Sequence, residues 1–172
     1  MKFLSCIPAL LLLAGMATIA NAQDVRTDYD HKVQFEQFHT YSWGKVKTTN
    51  PLWESRIRDA VDKQLTEKGW QKVDNGADVV VTAVGSTQNQ QEYQTFYDGM
   101  GGWGWGGLGD LSTTTVQNIR VGTLLVDMYN ASNKQLIWRS TSSDTLSSKT
   151  QNNEKTLDKA VDKMFKNFPP KK

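Results

Sequence analysis

Apolar and polar positions change period several times along the chain. Residues 3–14 are an apolar run broken only by Ser5 and Pro8. From Asp24 onward the period is two, with Val25, Thr27 and Tyr29 on one parity and the aromatics Phe35, Phe38, Tyr41 and Trp43 following. This predicts two short strands around a turn near His31 and Lys32. Asn50-Pro51 is a helix start, and Trp53, Ile57, Ala60, Val61 and Leu65 then fall on one side, with Arg58, Asp59, Asp62 and Lys63 opposite. Gly69 is the expected stop.

Residues 77–86 are a β-branched run, the signature of a central strand covered on at least one face. Residues 88–97 are polar and Gln-rich with Tyr93, Phe96 and Tyr97, which fits a more exposed strand leading into a Gly-rich segment. Over residues 113–128 the apolar parity changes from Ile119 and Val121 to Leu124, Val126 and Met128. Gly122 lies between, and it reads as a bulge or bend that re-aims the strand. Residues 130–134 form a polar turn, with Asn130 supplying turn chemistry, and Leu136, Ile137 and Trp138 open the return strand of a hairpin. The last element places Leu157, Ala160, Val161, Met164, Phe165 and Phe168 on one helical face, with Asn153 as cap and Pro169-Pro170 as terminator. Two amphipathic helices need a sheet to dock on. The fold class is therefore α+β: a mostly antiparallel sheet carrying both helices, in the order ββαββββα.

The amino-terminal run has the form of an export signal: Lys2 ahead of it, and Ala20-Asn21-Ala22 as a small-x-small cleavage site before Gln23. Residues 1–22 are read as a cleaved signal peptide and 23–172 as one α+β domain, which places the exported chain outside the cytoplasm. The only cysteine, Cys6, lies within the signal and too early to be a lipid-accepting residue at the cut, so no disulfide is expected in the exported chain. Lys and Arg number 20 against 18 Asp and Glu, and one of the lysines lies in the signal. Such a balance gives no drive for nucleic-acid binding.

Candidate chemistry is sparse. Asp28, Asp30 and His31 cluster on the first strand, where two carboxylates and an imidazole could hold a divalent cation or act as acid and base. The alternative is that Asp30 caps the following turn. His39 is expected on the surface. Residues 99–104 match the letters Gly-x-Gly-x-x-Gly, but Trp105, Gly106 and Gly107 follow where a helix would have to begin, so the dinucleotide reading fails on context. No cofactor and no catalytic residue is assigned. The segment 98–110 stands out because seven glycines surround Trp103 and Trp105. Indoles on such a backbone suit a loop that buries them in an envelope protein, a glycan or a lipid interface, or that folds back on its own sheet. Candidate ligand-binding residues are Trp103, Trp105, Tyr97 and Phe96.

Four blocks carry a resemblance: Tyr29-Asp30 with Phe35 and Thr40-Tyr41-x-Trp43; Ala77-Asp78 with three valines; Gly122-Thr123-Leu124 with Val126-Asp127 and Leu136-x-Trp138-Arg139; and Phe168-Pro169-Pro170-Lys171. In these the chain resembles the domain-of-unknown-function 4136 family of bacterial cell-envelope proteins. The resemblance implies an exported α/β protein, often a lipoprotein, with no established activity, and it carries over no functional residues. His31, Lys32, Gln34 and Phe38 depart from the usual pattern, as does the lack of a Cys at the cleavage point.

From these residues the favoured reading is a non-catalytic binding module that works through the Trp/Gly segment. A structural or assembly component, presenting the edges of residues 88–94 and 113–118 to another subunit, is the first alternative. A metal-dependent hydrolase centred on Asp28, Asp30 and His31 is the second.

Overall fold

The computed structural model of the chain describes residues 24–96 and 113–171, with side chains left aside over 91–117. Six strands and two helices follow in the order ββαββββα: β1 (Asp24–Tyr29), β2 (Thr40–Thr48), α1 (Leu52–Glu67), β3 (Gln71–Lys72), β4 (Val79–Phe96), β5 (Thr113–Asn130), β6 (Leu136–Thr145) and α2 (Thr150–Phe165). A one-turn 3-10 helix, Phe35–Gln37, links β1 to β2. The α+β class and the element order are those expected from the sequence, although the strands divide differently. Residues 79–96 form one long strand rather than two, and the two-residue β3 had no signal of its own.

All six strands make one mixed sheet in the order β1-β6-β5-β4-β2-β3. The β1/β6, β6/β5 and β5/β4 pairs are antiparallel, whereas β2 runs parallel to both β3 and β4. β1 and β2 do flank a turn at His31 and Lys32 but do not pair. β1 lies against β6 at one edge, and the chain then crosses to the far side of the sheet. β2 returns to its parallel neighbour β4 through α1, because parallel strands need a long crossover and the amphipathic helix supplies it.

Both helices pack on one face. There Tyr41, Val79, Val81, Ala83, Leu124, Val126, Met128 and Trp138 meet Ile57, Val61 and Leu65 of α1 and Val161, Met164 and Phe165 of α2. Asn50 does cap α1, since its Oδ1 accepts the Leu52 N–H at 3.0 Å, and Gly69 ends the helix with φ 85°. α2 starts four residues earlier than the Asn153 cap predicts, with Lys149 at the cap position. Asn153 lies inside the first turn and clasps the preceding loop, accepting from Ser147 N at 2.7 Å and donating Nδ2–H to Ser147 O at 2.9 Å.

Gly122 is not a bulge. It keeps regular register with Thr87 on one side and Asp144 on the other, and the slip in the β5/β6 ladder falls between Met128 and Tyr129. The parity change marks the end of the helix-covered stretch of β5. The glycine instead marks a close approach: a Cβ at position 122 would sit 2.8 Å from Leu146 Cδ2.

Candidate functional site

β4 and β5 run past the rest of the sheet. β2 leaves β4 after Gly85 and β6 leaves β5 at Val121, while β4 and β5 stay in unbroken antiparallel register to the Phe96–Thr113 pair, so that beyond Gln88–Val121 the two strands continue alone. At ~3.3 Å per residue the ribbon extends roughly 26 Å from Gln88. Gln88, Asn89, Gln90, Asn118 and Arg120 are exposed on it, and Ile119 is half-buried. A two-stranded ribbon on its own is marginally stable in water, and its outer edges offer unpaired backbone N–H and C=O groups. Phe96 is its last residue on β4, with a side chain outside the described set. Tyr97, Trp103 and Trp105 lie outside the described residues altogether, as do residues 1–22 with Cys6.

The first strand's acidic cluster is not assembled as alternation suggested. Asp28 lies on the open face opposite Arg139, and its Oδ1 accepts its neighbour Tyr29's N–H at 2.9 Å. Asp30 is beyond the strand, where its Oδ1 accepts the Lys32 N–H at 2.9 Å and its carbonyl accepts from Val33 N, so it fastens the turn. His31 packs against the Tyr29 ring with centroids 4.4 Å apart. Asp28 and Asp30 border an open hollow beside β6 with Arg139, without His31. Among the described residues no three His, Cys, Asp or Glu side chains gather to hold a metal. His39 is exposed as expected.

The blocks that carried the resemblance fasten the scaffold. Asp78 Oδ2 accepts from His39 N and Thr40 N at 2.9 Å and from Thr40 Oγ1 at 2.8 Å, which ties β4 to the start of β2. These bonds, that from the His39 backbone first, hold its carboxyl below the ordinary 3.8. On α1, Asp62 Oδ1 accepts from Tyr41 OH at 2.8 Å and Trp43 Nε1 at 2.6 Å, and Oδ2 accepts from Lys72 Nζ at 2.9 Å. Burial, reinforced by Asp62, pushes the Tyr41 phenol up. On the open face Asp127 takes a bidentate pair from Arg139 Nε and Nη2, both at 2.7 Å, and accepts from Tyr129 OH at 3.2 Å. That hydrogen bond raises the Arg139 guanidinium, and burial followed by the Asp127 charge raises the Tyr129 phenol.

On the helix side, at the root of the ribbon, the sheet and the two helix starts enclose a half-open cleft of about 200 Å³. Gly85, Gly122 and Ser142 give it a floor almost without side chains, Trp53 and Ile57 of α1 and Leu157 and Ala160 of α2 form walls, and Arg120 and Asp144 stand at the border. Ser142 is 2% exposed, and its Oγ has no hydrogen-bond partner among the described residues. Its neighbour two positions back, Ser140, is equally buried but bonded to Thr27 Oγ1 at 2.8 Å and Arg26 O at 3.1 Å. The sequence reading missed this cleft. Its signal was available: Ser140, Ser142 and Asp144 share parity with Trp138, so polar side chains had to fall on the core face.

The family profile "Domain of unknown function (DUF4136)" matches residues 25–170. The chain belongs to this family. No curated protein matches it. Among solved structures, a PDZ domain protein from Parabacteroides distasonis is similar with a TM-score of 0.59 at 12% identity, covering 86% of this chain but 36% of that one, so this chain spans about a third of that protein. The PelC dodecamer from Paraburkholderia phytofirmans has a TM-score of 0.53 at 12% identity over 84% of this chain and 95% of its own. At such identities the likeness is one of fold. This DUF4136 chain shares a sheet-and-helix scaffold with both, and its family blocks map to the bonds that hold that scaffold.

Proposed function

We propose that this DUF4136 protein is a non-catalytic binding protein of the bacterial cell envelope, and that the β4/β5 ribbon with its Trp/Gly tip is the part that docks. The observation that carries this reading is the ribbon itself: eight residue pairs, from Asn89–Arg120 to Phe96–Thr113, project past the last flanking strand of the sheet. A free strand edge is complementary to an extended backbone, which favours a protein partner held by strand addition. Phe96, Tyr97, Trp103 and Trp105 would add apolar anchoring at the tip. The signal-like residues 1–22 support export to the periplasm or outer-membrane periphery.

The test is a variant in which residues 89–120 are replaced by a two-residue Asn-Gly turn, which keeps Gln88 opposite Val121. The expected result is a body that melts cooperatively within a few degrees of the parent and loses capture of envelope partners, while a Trp103→Ala/Trp105→Ala double variant loses part of it. Undiminished capture by the shortened chain would remove the reading, and capture transferring to vesicles or glycan arrays would change the partner class.

Assembly is a second reading, favoured by the dodecamer that PelC forms with a similar fold. Here the ribbon edges would pair with another copy. Light scattering of the parent and shortened chains separates the two, because assembly requires a multiple mass that falls to that of one chain when the ribbon is removed.

A further inference from the structure

We propose that the cleft at the root of the ribbon is a binding site for a small, uncharged, mainly apolar molecule carrying one hydrogen-bonding atom. The inference is independent of what the ribbon docks. Three observations converge. At the place where α1 and α2 begin, Gly85, Gly122 and Ser142 on three adjacent strands form the sheet side of the cleft, and the wall side chains Ile57 and Leu146 close down on the two glycines, to 3.2 and 2.8 Å from where a Cβ would stand. Most of its surface is apolar, from Trp53, Ile57, Leu124, Leu146 and Leu157, with Thr48, Asn50, Thr123 and Asn153 also among the lining side chains. In this lining the Ser142 hydroxyl, on a residue 2% exposed, is the one buried side-chain polar atom without a hydrogen-bond partner among the described residues.

An unpaired buried hydroxyl is costly, and a ligand atom that donates to it or accepts from it removes that cost. Ser140 is satisfied from β1, where Thr27 stands opposite it, whereas opposite Ser142 the same strand places Val25, which has no polar side-chain atom to offer. The size of the body follows from volume. An apolar cavity of about 150 Å³ holds benzene, so about 200 Å³ suits a body of roughly six to ten non-hydrogen atoms. Charge follows from the lining, where the two charged side chains, Arg120 and Asp144, are of opposite sign and leave no net charge. A carboxylate or ammonium would give up hydration in the cleft without meeting a net opposite charge, which favours a neutral polar atom such as a hydroxyl or carbonyl oxygen.

The experiment titrates the exported chain, residues 23–172, with p-cresol, toluene and p-toluate. It follows the methyl resonances of Ile57, Leu124, Leu146 and Leu157 and the Trp53 indole. We expect saturable shifts confined to these groups with p-cresol and toluene, and weaker binding of p-toluate. In Ser142→Ala the ratio of p-cresol to toluene affinity should fall about three- to tenfold, the value of one hydrogen bond. Ser142→Ala removes an unpaired group and should melt at or above the parent temperature, so the comparison does not depend on a damaged fold. The proposal is overturned if neither neutral probe saturates at millimolar concentration, if p-toluate binds tightest, or if the p-cresol preference survives unchanged in Ser142→Ala.

Discussion

The two ends of the layer between sheet and helices are made differently. At the helix C-termini the sheet presents Tyr41, Val79, Val81, Met128 and Trp138, and the gap is filled with rings. Phe168 packs on Phe35, Trp70, Trp138 and Phe165 with centroids 5.3 to 5.9 Å apart. At the helix N-termini the same strands present Gly85, Gly122 and Ser142, and the gap stays open. One end is close-packed and rigid, the other has room. The difference teaches that the aromatic end carries the stability of the domain, which leaves the ribbon end available for binding.

The largest effect that would break this comparison is a truncation at the packed end. Trp138 is 1% exposed and touches both Phe165 and Phe168, so Trp138→Ala should lose about 3–5 kcal/mol of unfolding free energy. Leu157→Ala, at the cleft wall and only partly buried, should lose less than about 1.5 kcal/mol, because it enlarges a space that already reaches solvent. Urea unfolding of the two variants reads the difference. Equal losses would mean that the open end is as tightly coupled to the fold as the aromatic end.

Much of the packed end was legible in the sequence. The spacing of Ile57, Val61 and Leu65 and of Val161, Met164 and Phe165 exposes one face per helix, and the valines of β4 declare a covered strand. The strand partners were not legible. Nothing in the alternation of Val25, Thr27 and Tyr29 says that β1 joins β6 rather than β2, because period-two patterning fixes which side faces the core but not the neighbour. The cleft was hidden for a related reason. A hollow is made by missing side chains, and Gly122 on a strand signals either a bend or a close approach, of which the bend was expected and the approach by Leu146 was found. The candidate ligand-binding residues Tyr97, Trp103 and Trp105 rest on composition alone and lie outside the described residues.

A smaller effect sharpens the contrast through pH. Asp78 stands at the packed end, at the head of β4, and its folded carboxyl titrates below the ordinary 3.8 because the backbone of His39 and then the Thr40 hydroxyl hydrogen-bond its charged form. A depressed folded value means that the stabilisation is complete above 3.8 and is lost as pH falls from there through the lower folded value. The melting temperature should therefore drop on acidification below about pH 4, and Asp78→Asn should start lower at neutral pH and show a shallower drop. Parallel curves for the two proteins would show that other carboxylates govern the acid limb.

The smallest effect is expected at Gly122, and its smallness is the point. A Cβ there would come within 2.8 Å of Leu146 Cδ2 and 3.1 Å of Leu146 Cγ, a clash that a packed core would not absorb. Leu146 follows β6, is only partly buried and borders the cleft, so its side chain has open space into which it can rotate. Against the cost of that rotation stands the reduced freedom of the unfolded chain when alanine replaces glycine, worth about 0.4–1 kcal/mol in favour of the fold. The two nearly cancel, and Gly122→Ala should unfold within about 1 kcal/mol of the parent. A loss of several kcal/mol would show that Leu146 is pinned and that the ribbon end is as rigid as the aromatic end. A near-neutral result with altered p-cresol affinity would show that Leu146 moved into the space the ligand needs.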